Sequence, residues 1–264
     1  MVRKPAVAGQ FYPADKDELK EMISSFLEKA GEIKAKPKAA VSPHAGYIYS
    51  GQTAAYSYSA LKNTDPRTIV IIGPNHTGLG SLVSISTQDW ETPLGIIETD
   101  KEKANFLAEK GFAIDQIAHE YEHSIEVQLP FLQVIFENFK ILPICVMDQS
   151  YQTMKKLGSS LAEVLEKNDI IIASSDFTHY EPQESAFQKD NEAIKKIEQL
   201  DDEGFYKLVE EKEMSICGYG CILSAMIFSK QRDVKKAKLL KYSTSGDING
   251  DYFKVVGYAS IIFE

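Results

Sequence analysis

The sequence predicts an α/β fold in which a mixed, largely parallel β-sheet lies between two layers of helices. Short apolar, β-branched runs alternate along the chain with longer stretches of helical period, which is the pattern of a sheet flanked by helices. Several of these runs are apolar at every position, as expected for strands that are covered on both faces. No linker rich in proline, glycine or serine interrupts this order, so we assign residues 1 to 264 to a single domain.

The predicted strands are the β-branched apolar runs, and the predicted helices are the stretches of helical period between them. The strands cover residues 39 to 43, 68 to 73, 82 to 87, 139 to 147, 169 to 175 and 252 to 263. The helices cover residues 16 to 29, 51 to 62, 101 to 110, 124 to 138, 151 to 167, 184 to 199, 202 to 212 and 220 to 230. Asp15 is predicted to cap the first helix, with Glu18 three residues later completing a capping box.

The composition excludes several classes of protein. With 44% hydrophobic and 25% charged residues, the 264-residue chain can bury a large core. Its formal net charge of −9 opposes loose binding to nucleic acid or to an anionic membrane surface. No apolar run approaches the roughly 20 residues of a membrane-spanning helix, and the first residues lack the apolar stretch of a signal peptide. The cysteines Cys145, Cys217 and Cys221 provide no disulfide framework, so we expect a cytoplasmic protein.

Three of the five histidines follow apolar runs. His44 follows the first run, His76 the second, and Asp176 and His179 the run that ends at residue 175. Ligands in such folds bind at the carboxyl ends of the strands, so these side chains are expected to share one site. Cys217 lies in a glycine-rich turn just before a helical stretch and adds a thiol to this set.

Imidazole, carboxylate and thiolate are the side chains that bind first-row transition metals. Two histidines and one anionic ligand would leave coordination positions open for a substrate or for dioxygen, as in catalytic metal sites. Two questions stay open at this point. Each histidine could instead only hydrogen-bond its own loop, and the spacing does not specify a metal.

Residues 119 to 123 match the zinc-protease motif HExxH and also its inverted form. That chemistry needs His119 and His123 on one face of a long helix. Ser124 has the character of a helix start and Pro130 follows closely, so a charged loop with a chance match is favoured. Zinc hydrolysis is kept as a weaker alternative, and His123 is kept as an individual binding residue.

Other residues suggest a nucleophile or a pocket. Cys217 could act as a nucleophile, because a turn before a helix lowers the pKa of a thiol, or it could simply be a small buried residue. No GxSxG elbow accompanies the serines near His179. Tyr47, Tyr49 and the amide of Asn75 are candidates for the floor of a pocket. The glycines form no GxGxxG fingerprint, so no nucleotide cofactor is expected.

Six blocks of sequence, in this order along nearly the whole chain, resemble the Memo (mediator of cell motility) family, whose bacterial and archaeal members are also called AmmeMemoRadiSam system protein B. That second name implies a functional link to a radical S-adenosylmethionine protein and to an AMMECR-type protein. The blocks are residues 3 to 13 (RKPAVAGQFYP), 43 to 47 (PHAGY), 73 to 76 (GPNH), 122 to 131 (EHSIEVQLPF), 174 to 180 (SSDFTHY) and 217 to 218 (CG).

The resemblance implies a fold similar to that of class III extradiol dioxygenases, which are non-haem iron enzymes. By this resemblance, His44 and His76 match two metal ligands, Cys217 replaces the carboxylate ligand, and His179 matches the acid/base with Asp176 beside it. A thiolate is a softer ligand than a carboxylate, so iron or copper is expected and the inference of ring cleavage is weakened.

Two main hypotheses follow. In the first, the protein is a metal-dependent redox enzyme in which Asp176 positions His179 for proton transfer. In the second, the same cleft is a non-catalytic scaffold that binds a peptide or a small molecule. The sequence does not identify the ligand or substrate.

Overall fold

A mixed sheet forms the centre of the fold. In the computed structural model, which describes residues 2 to 264, nine strands belong to this sheet and three more form a small second sheet. The strands are β1 (Val2–Arg3), β2 (Ala39–Ser42), β3 (Thr68–Pro74), β4 (Val83–Ile85), β5 (Asp89–Thr92), β6 (Gly95–Ile97), β7 (Ala113–Ile114), β8 (Lys140–Val146), β9 (Ile170–Ser174), β10 (His179–Glu181), β11 (Ala237–Thr244) and β12 (Val255–Phe263).

The helices connect these strands. They are α1 (Lys16–Ala30), α2 (Tyr47–Leu61), α3 (Lys101–Glu109), α4 (Leu129–Ile135), α5 (Tyr151–Val164), α6 (Gln183–Glu198), α7 (Asp202–Glu211), α8 (Tyr219–Gln231) and α9 (Gly246–Asn249), with short 3-10 helices at Ile117–His119 and Glu126–Gln128. Asp15 caps α1 as predicted, because its side chain accepts hydrogen bonds from the backbone N–H groups of Asp17 and Glu18. Within residues 2 to 264, no helix is both long enough and apolar enough to cross a membrane.

The predicted mixed sheet between helix layers is confirmed. Strands β2, β9, β3 and β8 lie side by side in this order, and all are parallel. Antiparallel strands flank them, with β12 on β2 and β4 on β8. The parallel part is therefore the centre of the sheet, and its carboxyl ends all face the same edge.

Side chains of β3 show why these central runs are apolar at every position. Ile69 and Ile71 belong to one core cluster, which α1, α2 and α4 complete. Val70 and Ile72 belong to the cluster on the opposite face, with residues of α5 and α8. Successive side chains of a strand point to opposite faces, so both faces are buried. Each fully buried aliphatic side chain stabilises the fold by about 1.5–3 kcal/mol.

The structure differs from the prediction in one helix and in several unpredicted strands, of which β11 is the longest. The helix predicted over residues 124 to 138 is instead a 3-10 turn followed by the short helix α4. Pro130 causes this, because proline is tolerated in the first turn of a helix but not in its interior. Strand β11 was not predicted, because Lys238 and Lys241 interrupt its apolar pattern. It pairs with β12 as an antiparallel strand, and exposed lysines are typical of such outer strands.

Candidate metal centre

Loops from the carboxyl ends of three adjacent strands meet at one edge of the sheet. His44 follows β2, His76 follows β3 and Asp176 follows β9, while Cys217 lies just before α8. The Nε2 atom of His44 is 3.2 Å from the Sγ atom of Cys217. One ligand atom from each of His44, His76 and Cys217 lies within 4.8 Å of the others. The structure thus brings together the three side chains predicted as metal ligands.

Two glycines allow the loops to approach so closely. A Cβ atom on Gly73 would lie 2.4 Å from the Oγ atom of Ser124, and one on Gly218 would lie 2.4 Å from the main-chain oxygen of Ser174. Any larger residue at these positions would push the loops apart. Glycine is therefore required at the end of β3 and before α8.

The hydrogen bonds around His44 fix its tautomer. Its Nδ1 atom is 2.9 Å from the Oγ atom of Ser174. That hydroxyl donates its hydrogen to the main-chain oxygen of Ser124, at 2.6 Å, and accepts from the side-chain amide of Gln128, at 2.9 Å. It can therefore only accept from His44, so Nδ1 carries the ring hydrogen and the lone pair of Nε2 faces Cys217.

A buried carboxylate fixes the tautomer of His76 in the same way. The Oε1 atom of Glu122 is 2.9 Å from Nδ1 of His76, and Glu122 is completely buried. Burial alone would raise the pKa of this carboxyl, but the hydrogen bonds from His76 and from the backbone N–H of Ser124 outweigh it and lower the pKa to about 2. An ionised carboxylate only accepts hydrogen bonds, so Nδ1 of His76 is the donor and Nε2 is free.

The thiol of Cys217 is neutral in this environment. Burial raises its pKa, and the charge of Asp176 raises it further. The backbone N–H of Asp176 donates to Sγ at 3.3 Å. The expectation that the turn before α8 lowers this pKa is wrong, because no cation compensates for the burial. A nucleophilic thiolate is therefore disfavoured, and a metal ion would have to replace the thiol proton.

His179 is held by Ser215 and not, as predicted, by Asp176. Its Nδ1 atom donates to the main-chain oxygen of Ser215 at 2.8 Å, and its backbone N–H donates to the Oγ atom of the same residue at 2.8 Å. The carboxylate of Asp176 instead accepts the backbone N–H of His44 at 2.8 Å. Burial raises the pKa of this carboxyl to about 6. Asp176 therefore orders the loop that carries His44, and Nε2 of His179 has no hydrogen-bond partner among residues 2 to 264.

His123 is a third imidazole in the cluster. Its ring stacks on that of His76, with centroids 4.7 Å apart, and meets the edge of the His44 ring at 5.5 Å. The ring of Phe11 packs against it at 4.7 Å. With Glu122 it forms a second group of possible metal-binding side chains, and both groups share His76. The side chain of His76 is 34% exposed, so solvent reaches the cluster.

His119, the first histidine of the HExxH match, lies elsewhere. It is 1% exposed, its Nε2 atom is 3.2 Å from the main-chain oxygen of Ser84, and its ring packs edge-on against Trp90. The 3-10 turn Ile117–His119 does not continue as a helix to His123. The two imidazoles therefore do not share a helix face, and the zinc-hydrolase alternative through His119 is wrong.

The predicted tyrosines of the pocket floor take different places. Tyr47 is 3% exposed, and its hydroxyl donates to the main-chain oxygen of Val127 at 2.7 Å. It belongs to the core between helices and sheet, because the register of α2 turns it inward. Tyr49 is half-buried, and it is one of the groups that act on the pKa of the buried Tyr258 hydroxyl. Only Tyr49 of this pair stays a candidate for ligand contact.

The amide of Asn75 is used inside its own loop. Its Oδ1 atom accepts hydrogen bonds from the backbone N–H groups of Thr77, at 3.0 Å, and Gly78, at 2.9 Å. Its Nδ2 atom donates to the main-chain oxygen of Leu79 at 2.7 Å. The prediction that this amide lines a pocket is wrong, because the side chain closes the turn after β3.

Sequence reasoning missed Glu122, Gln128 and Ser174 as parts of the site. All three are buried polar residues whose partners are distant in the sequence. A signal was present, since Glu122, Ser124, Glu126 and Gln128 alternate with other residues in a segment that also carries apolar side chains. Polar residues within a buried segment must find hydrogen-bond partners, and Glu122 finds its partner in the imidazole of His76.

Comparison with known proteins identifies the family of this chain. A family model described as "Memo-like protein" matches residues 3–262. A MEMO1 family protein of Methanosarcina barkeri is 48% identical over 267 residues, and one of Nitrosopumilus maritimus is 45% identical over 274 residues, with 100% of both chains covered in each case. An uncharacterized protein of Escherichia coli K12 shares the fold, with a TM-score of 0.55, 13% identity, and coverage of 85% of this chain and 98% of that one. The chain belongs to the Memo family.

Proposed function

We propose that this protein is a metal-dependent redox protein whose ion is held by His44, His76 and Cys217. The observation that carries the proposal is the close approach of one ring nitrogen from each histidine and the Sγ atom of Cys217, all within 4.8 Å. Both imidazoles have their Nδ1 hydrogen already committed to an acceptor. Each ring therefore keeps the lone pair of Nε2 for a ligand, and Nε2 of His44 lies 3.2 Å from Sγ of Cys217.

The donor set favours iron or copper. A thiolate with two imidazoles is softer than the two histidines and one carboxylate of non-haem iron oxygenases, and it suits a redox-active ion. Such an ion, when bound, would supply one-electron chemistry towards dioxygen or an oxidisable small molecule. Three protein ligands leave coordination positions for that substrate.

The chain's own groups would move protons and hold the ligands. His179 donates from Nδ1 to Ser215, so its Nε2 atom is the basic nitrogen that accepts a proton from a substrate. His179 lies three residues after Asp176, in the segment that follows β9. Asp176 keeps the loop of His44 in place through its backbone N–H.

Metal content after anaerobic purification tests the proposal. We expect about one iron or copper ion per wild-type chain and loss of the ion in His76→Ala and Cys217→Ala. Cys221→Ala is the matched control, because Cys221 is a buried residue of α8 outside both metal-binding groups. Oxygen uptake with catechol or ascorbate then separates a bound ion from a working one.

Two results would contradict the proposal. A wild-type protein that is empty and cannot be loaded with either metal would favour the non-catalytic scaffold. Equal metal content in wild type and Cys217→Ala would show that the ion binds elsewhere.

A further inference from the structure

We propose that Glu122 is a positioning residue that selects the metal-binding nitrogen of His76 and is not itself a metal ligand. The inference rests on the proposed metal site, and it states how many metal ions that site holds. The group His76, Glu122 and His123 overlaps with the group His44, His76 and Cys217. We infer that the overlap marks one metal ion with a supporting carboxylate, and not two ions.

Four hydrogen bonds already hold the carboxylate of Glu122. Its Oε1 atom accepts hydrogen bonds from Nδ1 of His76 at 2.9 Å and from the backbone N–H groups of His123 at 2.9 Å and Ser124 at 2.8 Å. Its Oε2 atom accepts from the backbone N–H of His76 at 2.6 Å. A metal ion bound to Oε1 would have to displace its three donors and leave buried N–H groups unpaired, which costs about 1–3 kcal/mol for each.

The same contacts set the direction of His76. The carboxylate holds both the backbone and the ring of this residue, so the ring cannot turn without losing a hydrogen bond. With the hydrogen on Nδ1, the lone pair is on Nε2 and is available to the ion at Cys217. The other tautomer would present an N–H to the ion, and an N–H cannot bind a metal.

A second buried carboxylate provides the matched control. Glu126 is as completely buried as Glu122, but it accepts hydrogen bonds from the backbone N–H groups of Ala6, at 2.8 Å, and Val7, at 3.0 Å, and forms an ion pair with Arg3. It therefore ties down the N-terminal segment and contacts no imidazole. Both carboxylates stabilise the fold, and only Glu122 fixes a metal ligand.

Glu122→Gln and Glu126→Gln separate these roles. Glutamine has a single acceptor oxygen, and its NH2 group would face N–H donors at position 122. Anaerobic titration of the metal-free proteins with Fe²⁺, against a competing chelator, measures affinity and stoichiometry. We expect one ion per wild-type chain, affinity about 10–100-fold weaker in Glu122→Gln, and unchanged affinity in Glu126→Gln.

Nitrogen-15 NMR of the metal-free wild type measures the tautomer of His76 directly, with His76→Gln assigning its signals. We expect the hydrogen on Nδ1. Hydrogen on Nε2 would overturn the inference, and this test holds even if Glu122→Gln does not fold.

The other outcomes are also distinct. Equal Fe²⁺ affinity in folded Glu122→Gln and wild type would overturn the inference while the metal site stands. Two ions per wild-type chain and one in Glu122→Gln would show that Glu122 is a ligand. If the wild type binds neither iron nor copper, the proposed function fails, and the NMR result alone then decides the role of Glu122 in holding His76.

Discussion

The two edges of the central sheet use polar residues in opposite ways. At the amino ends of β3 and β9, Lys103 lies 3.0 Å from Asp100 and 3.5 Å from Asp169, and Asp169 accepts the backbone N–H of Thr68 at 2.9 Å. These charged and polar groups form ion pairs and hydrogen bonds with one another. At the carboxyl ends, the imidazoles of His44, His76 and His179 are each held through Nδ1, and Nε2 of His44 faces the thiol of Cys217. Mutual pairing stabilises a fold, whereas a supported group with a free lone pair is ready for a ligand.

Removal of the basic nitrogen at the carboxyl edge should have the largest effect. We expect His179→Gln to lower oxygen uptake by about 10²–10⁴-fold, on whichever of catechol or ascorbate the wild type oxidises. Its metal content should equal that of the wild type, because His179 is in neither metal-binding group. Metal analysis and oxygen-electrode assays of the same preparations measure the metal content and the oxygen uptake. Loss of metal together with activity would make His179 a ligand and contradict the assigned role.

Damage to the amino edge should affect stability alone. Asp169 is 1% exposed, and its removal leaves the N–H groups of Thr68 and Glu166 without an acceptor. We expect Asp169→Ala to lower the free energy of unfolding by about 3 kcal/mol, with metal content unchanged in the folded protein. Urea denaturation measures the first quantity. Asp169→Asn, which keeps an acceptor oxygen, is the control and should lose less.

The pH dependence of stability should reveal the raised pKa of the buried Asp176 carboxyl. Burial raises the pKa of Asp176 from 3.8 to about 6, so the folded state binds the proton more tightly than the unfolded chain. The wild type therefore gains stability as pH falls from about 6 to 4, and loses that gain as pH rises through 6. We therefore compare the free energy of unfolding of Asp176→Asn with that of the wild type. The value for the variant minus the value for the wild type should increase by about 2–3 kcal/mol from pH 4 to pH 8. Urea denaturation at both pH values measures this, and a constant difference would contradict the assigned burial.

Removal of an exposed ion pair should have the smallest effect on the free energy of unfolding. Lys110 and Glu163 are paired on the surface, with side chains 38% and 55% exposed. We expect Glu163→Gln to change the free energy of unfolding by less than about 1 kcal/mol, because solvent screens the pair. A loss as large as that of Asp169→Ala would mean that burial does not distinguish the two edges.

The sequence was sufficient to predict those parts of the fold that depend on local pattern. β3 and β9 were predicted because they are apolar at every position, a consequence of burial on both faces. β11 was missed, since its lysines face solvent along an outer strand. The helix predicted to begin at Ser124 begins only at Leu129, because Pro130 fits the first turn of a helix and not its interior.

In the candidate site, too, local pattern predicts some residues, and contacts between distant residues decide the others. His44 and His76 were predicted because they follow apolar strands, whose carboxyl ends meet at one edge. The role of Glu122 depends on a contact between residues 46 positions apart, which no local pattern encodes. Tyr47 was misplaced for the same reason, since the packing of α2 against the sheet decides which tyrosine is buried.

X-ray absorption spectroscopy of the iron-loaded or copper-loaded protein most directly tests whether two imidazoles and one thiol hold a single ion. We predict one sulfur and at least two imidazole nitrogens bound to the ion in the wild type, and loss of the sulfur signal in any ion retained by Cys217→Ala. A wild-type spectrum without sulfur would contradict the assigned ligand set.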